Sequence, residues 1–164
     1  MFDIDMPTLI VASLFILAVA AIFVYYSLKN RKTRKEFYDK FNRFISGKNL
    51  NPDLKEDWRN RYILGLDQTK NTLVYCNFGE DEQKITVALP EVSKVSVAET
   101  FQESEQATNT RKILDQLALK IQFKAPGKEA LSLLIYSAEE FSDLLGETVL
   151  ASKWAELINQ RIKN

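Results

Sequence analysis

The sequence predicts an α+β chain: an N-terminal transmembrane helix, then an antiparallel β meander or partly open barrel, closed by a C-terminal amphipathic helix. Three observations predict it. Residues 7–28 carry no charged side chain, most of residues 61–136 alternate apolar and polar side chains, and residues 148–162 return to a helical period. The strands follow one another without helices between them, so the sheet is a meander and not a parallel α/β sheet. The chain divides into a short N-terminus (1–6), the membrane helix (7–28), a basic juxtamembrane helical linker (29–60) and a soluble domain (61–164).

As a helix, residues 7–28 extend about 33 Å, against a hydrocarbon core about 30 Å thick. Pro7 suits the first turn, where its missing N–H costs nothing. Tyr25 and Tyr26 stand near the far end, as interfacial aromatics do. Ala18-Val19-Ala20 has the small residues of a signal-peptide cleavage site. Against cleavage, the region before the apolar run holds Asp3 and Asp5 with no Lys or Arg, and the run continues past Ala20.

Charge sets the topology. The chain has 22 basic and 22 acidic residues. Residues 1–28 sum to −2; residues 29–48 sum to +6, from eight basic residues against Glu36 and Asp39; residues 49–164 therefore sum to −4. Positive flanks stay in the cytoplasm, which puts the N-terminus outside and residues 29–164 inside a cell membrane crossed once. The collar Lys29, Arg31, Lys32, Arg34 and Lys35 has two readings. It contacts anionic lipid at the membrane surface, at up to about 1 kcal/mol per basic residue, or it only fixes topology.

Phe37, Phe41, Phe44 and Ile45 share one face of a helix over residues 33–46. Phe37 and Phe41, beside basic residues, suit the membrane interface. This helix has three possible settings: in the interface, as a continuation of the membrane helix, or packed on the soluble domain. Ser46-Gly47 ends it. Residues 49–53 read as a linker into a brief helix around Leu54–Trp58.

Six strands follow: residues 62–66, 72–78, 85–89, 92–97, 117–123 and 130–136. The run Leu117, Leu119, Ile121, Phe123 alternates cleanly with polar or small residues, so one sheet face is wet. Residues 100–112 are polar and irregular and read as a mobile loop. Pro126-Gly127 makes a turn. Ser137 and Glu140 have capping-box spacing for a short helix, which Gly146 separates from a longer one. On that longer helix Leu150, Trp154, Leu157, Ile158 and Ile162 form one apolar stripe, with Trp154 as its anchor.

This order of elements, with a tryptophan inside the last helix, resembles the pleckstrin-homology-like fold over residues 60–163. The whole chain looks like small bacterial proteins that pair one membrane helix with such a domain. That fold usually has seven strands, and the seventh is expected near residues 113–116 or from a split in 92–100. Phosphoinositide-binding members carry several basic residues in the first strand-turn-strand. Here that turn is Asp67-Gln68-Thr69-Lys70-Asn71, so the headgroup role does not carry over. The resemblance implies a scaffold that binds a peptide or protein.

Chemistry-bearing motifs are few. There is no histidine, which excludes His-dependent triads and His-ligated metals. The lone cysteine, Cys76, forms no internal disulfide and lacks a histidine base. Glu80-Asp81-Glu82 and Glu139-Glu140 read as a turn and a helix start rather than as acid pairs across a cleft. The five glycines stand singly, with no phosphate loop. The expectation is a non-catalytic, membrane-anchored protein-interaction or scaffold module without cofactor or small-molecule substrate. Its partners are the lipid bilayer and a cytoplasmic or membrane protein. The mild acidity beyond the collar disfavours nucleic acid. The alternative is an accessory subunit recruited through its membrane helix, where Ala12, Ser13, Ala18, Ala20 and Ala21 allow close packing.

Overall fold

A computed structural model of the chain describes residues 6–106 and 109–163. Asp3 and Asp5 of the acidic N-terminus lie outside the described residues. The chain forms two compact units, Met1–Lys48 and Asn49–Asn164.

The first unit is one helix, α1, Met6–Gly47, 42 residues without interruption. The juxtamembrane segment thus continues the apolar helix. Leu9–Gly47 is long and apolar enough to cross a membrane, and none of its most apolar stretch is buried. Phe15 and Phe23 are 70% and 72% exposed, as on a helix that could cross a membrane. The helix closes with Lys48 N–H donating to Ile45 O. The left-handed residue beyond it is Asn49 (φ 55°), not Gly47; asparagine tolerates that region.

The second unit begins with a strand where a brief helix was expected. β1 is Leu54–Trp58, β2 Tyr62–Asp67, β3 Thr72–Asn77 and β4 Gln83–Ala88, in an antiparallel sheet ordered β1-β2-β3-β4. Leu-Lys-Glu-Asp-Trp has good helix formers, but an edge of β2 needs a backbone partner, and that demand outweighs local preference. A 3-10 turn, Leu89–Glu91, leads into β5 (Val92–Gln106), β6 (Asn109–Phe123) and β7 (Leu131–Ser137), ordered β5-β6-β7. The seventh strand is therefore β1, and the two sheets do not close into a barrel.

The expected loop at 100–112 is also replaced. β5 and β6 run on as a two-stranded ribbon, paired from Thr100↔Gln116 out to Gln106↔Asn109. β7 pairs with β6 only from Gln116 to Ile121. Beyond Gln116 the ribbon lacks a third strand, so nothing requires alternating apolar residues there.

The core lies on the inner faces of both sheets, where Tyr62, Leu64, Leu73, Tyr75, Leu117, Leu119, Ile121 and Leu133 are fully buried. Helix α2, Glu147–Lys163, adds Ala151, Trp154, Ala155 and Ile158, with Leu150, Leu157 and Ile162 partly buried beside them. The expected short helix before α2 is a set of turns instead, with Glu140 and Phe141 N–H donating to Ser137 O. Gly146, at φ 100°, opens α2, and Gly127, at φ 81°, makes the β6–β7 turn as expected.

Asp67 pins the entry of the unit. Its carboxylate accepts the N–H of Asn51 (2.8 Å) and of Lys70 (2.8 Å), joining the approach to β1 and the β2–β3 turn. Those backbone donors hold the carboxyl below its usual pKa. A depressed folded-state pKa contributes stability above the unfolded value of about 3.9, lost as pH falls through the folded value. Asp67→Asn presents N–H groups to one of these donors and is expected to lose about 2 kcal/mol at neutral pH. Urea titrations across pH 2–7 should also show a flatter acid limb for the variant.

Candidate functional site

The site takes shape at the β1–β2 turn. Trp58 O accepts the N–H of Arg61 (3.2 Å), and both residues between them, Arg59 (φ 57°) and Asn60 (φ 50°), are left-handed. That twist suits a tight hairpin but is unfavourable for arginine. The cost is offset by what the turn does with the Arg59 side chain. Its Nε donates to Glu147 Oε1 (2.6 Å), and its terminal nitrogens donate to Asp143 Oδ1 (3.2 Å) and Asp143 O (2.5 Å). The guanidinium also lies 4.5 Å from the centre of the Phe141 ring. Burial works against the Arg59 charge, but the two carboxylates outweigh it and raise its pKa.

Arg61 builds a parallel tie. It donates to Asn77 Oδ1 (3.1 Å) and Glu140 Oε1 (2.7 Å), while Tyr62 Oη donates to Glu140 Oε2 (2.7 Å). Burial and that bond push the Tyr62 phenol pKa upward. Gly79 makes room for Arg61: a Cβ there would stand 1.8 Å from Arg61 Nε. Trp58 stacks on Tyr62 (5.3 Å, 11°) and its Nε1 donates to Ile135 O of β7 (2.9 Å).

Beside this lattice lies a groove of about 380 Å³. One wall is the outer edge of β1 with its turn: Glu56, Asp57, Trp58 and Arg59. The other is the approach to α2 and its first turns, with Leu145, Val149, Leu150 and Lys153. Leu145 and Val149 are each 71% exposed, and Leu144 is 44% exposed. Glu56 ties the walls, accepting from Lys153 Nζ (2.8 Å) and Trp154 Nε1 (2.9 Å). β1 pairs on one side only, so its other edge carries outward N–H and C=O groups. The β5 edge differs: Asn159 of α2 accepts from Val95 N–H (2.9 Å) and donates to Val95 O (2.6 Å), taking the place of a neighbouring strand.

No protein-family model, curated protein or solved structure matches the chain.

The residues singled out from the sequence lie elsewhere. Lys29, Arg31, Lys32, Arg34 and Lys35 are exposed on α1, and at 100° per residue they surround the helix rather than share a face. Lys32 lies 4.0 Å from Glu36, and Arg34 lies over the Tyr38 ring (5.8 Å). Tyr25 and Tyr26 are exposed and meet edge to face (5.7 Å). Phe37 meets Tyr38 edge to face (5.3 Å), but Phe37 and Phe41 are both buried, unlike the exposed side chains expected at a membrane interface. Trp154 is buried. Cys76 is buried in β3, and burial pushes its thiol up to about 12, leaving it protonated and a poor nucleophile at neutral pH. Among the described residues, no group of three or more Asp, Glu or Cys is placed to hold a metal ion. Sequence reasoning missed the groove because it missed β1. The signal was Arg59-Asn60, a turn pair between two runs ending and starting in aromatics.

Proposed function

We propose that the chain is a membrane-anchored, non-catalytic interaction module, with its soluble unit cytoplasmic and its N-terminus outside. Four features support this reading: the uncovered apolar α1, the basic residues that follow it, the order of seven strands and a Trp-bearing helix in the manner of a pleckstrin-homology-like domain, and the groove. The groove carries it. Two large aliphatic side chains stand in water beside an unpaired strand edge, and that combination suits an extended segment of a partner protein added to β1 as a further strand. Glu56, Asp57, Asp143 and Glu147 outnumber Arg59 and Lys153 around it, which favours a basic segment. Tethering raises the local concentration of the groove at the membrane, so a weak surface suffices.

A photocrosslinking side chain at Val149 in native membranes tests this. It is expected to capture a cytoplasmic protein, and Leu145→Asp should abolish capture while changing stability by no more than about 0.5 kcal/mol. Capture indifferent to Leu145→Asp contradicts the groove. Loss of the partner only on replacement of residues 7–28 favours the accessory-subunit role, for which the small residues of α1 would serve. Labelling of Lys128 from the outside of intact cells contradicts the topology.

A further inference from the structure

We propose that the outer face of the β5-β6-β7 sheet docks on an anionic membrane surface; the inference rests on the anchor reading above. In β5 and β6, Lys94 pairs with Gln122 and Ser96 with Lys120, and Lys120 in turn faces Ser132 of β7. Val95, Val97, Leu119 and Ile121 point to the core, so the lysines point away from it. Lys124, one residue past β6, continues the alternation, its N–H bonded to Glu91 O. All three lysines are exposed, and among the described residues none is ion-paired; Lys128 nearby is paired to Glu91.

The intervening positions are Ser96, Gln122 and Ser132, with no acid on this stretch of the face. Like charges on neighbouring strand positions repel, and a face serving solubility alone mixes both signs. The asymmetry is sharper because residues 49–164 sum to −4. Four of the acids, Glu56, Asp57, Asp143 and Glu147, stand instead around the β1–α2 groove. One face of an acidic unit is therefore cationic.

The potential of an anionic leaflet falls off within about 8 Å at physiological salt. Three lysines would not bring a free domain to it. On a unit already anchored, each would shift the docked-to-free ratio about 5-fold, and the three together about 100-fold. Lys94 and Lys120 stand on neighbouring strands of one sheet face, with Lys124 just past β6, so the three can approach a bilayer surface together.

The test uses the full chain in vesicles of phosphatidylcholine alone or of an equimolar mixture with phosphatidylserine. A fluorophore at Ser132→Cys reports proximity to a headgroup-attached quencher; buried Cys76 stays unlabelled. Strong quenching is expected only in the mixed vesicles, abolished by high salt and by combined K94Q, K120Q and K124Q, with K163Q as an unaffected control. Quenching that ignores lipid charge or the triple substitution overturns the docking face. So does a response only to an added acidic protein. Flotation with both vesicle types reports the anchor separately: a chain that fails to float overturns the anchor reading itself.

Discussion

Trp154→Ala is expected to lower the stability of the second unit by about 4 kcal/mol, the usual cost of emptying a large aromatic site in a core. Trp154 is 2% exposed and packs in one cluster with Ala151, Ala155 and Ile158 from its own helix and with both sheets. Alanine leaves a void that rigid strands cannot fill, and Glu56 loses one of its two donors. The melting midpoint, followed by Trp58 fluorescence in detergent micelles, should fall on the order of 15 °C. Trp154→Phe separates the causes: it keeps most of the packing and removes the indole N–H, so it should cost only about 1 to 2 kcal/mol. Equal losses for the two variants would contradict a packing role.

Glu147→Ala is expected to cost about 3 kcal/mol, the scale of a buried ion pair broken from one side. Glu147 is 3% exposed and the Arg59 side chain 11%, so the stranded guanidinium finds little water. The lost carboxylate also accepts Leu145 N–H (2.5 Å), which shapes the entry to α2. Asp143 retains part of the charge balance, though its own side chain is 60% exposed. Replacing both partners together, Arg59→Met with Glu147→Leu, should restore much of the loss, because no buried charge is left unpaired. The Arg61–Glu140 pair, with side chains 19% and 31% exposed, should respond less than Arg59–Glu147. Urea unfolding of the single and double variants gives the coupling energy directly. A double variant as unstable as Glu147→Ala would show that shape, not charge, fixes this corner.

The two losses differ in what they do to the groove. Trp154 holds α2 against the sheets, whereas Glu147 holds the first turn of α2 against the β1–β2 turn. Glu147→Ala should therefore weaken partner capture at Val149 even below the unfolding temperature.

How much of this was legible in the residues depends on which solvent or neighbour each segment answers to. The apolar helix was plain because residues 7–28 answer only to their surroundings, and no sheet partner alters that. Leu117 to Phe123 was equally plain, since one face must be dry and the other wet. Trp154 was legible as an anchor from the stripe around it. Leu54–Trp58 was not, because a lone edge strand is defined by the strand it pairs with, and its own residues favour a helix. The ribbon from Thr100 to Gln116 was hidden for the same reason: beyond Gln116 its two strands pair only with each other, so no third strand imposes an apolar alternation on them.

The sequence by itself determined the long apolar helix, its basic flank, the antiparallel class and the stripe that buries α2, all properties of one segment against one solvent. Only the tertiary structure decided the groove, the Arg59–Glu147 tie and the cationic sheet face. Each joins residues far apart in the chain, and which charges meet and which stand alone depends on register and on the placement of α2, which no local pattern encodes.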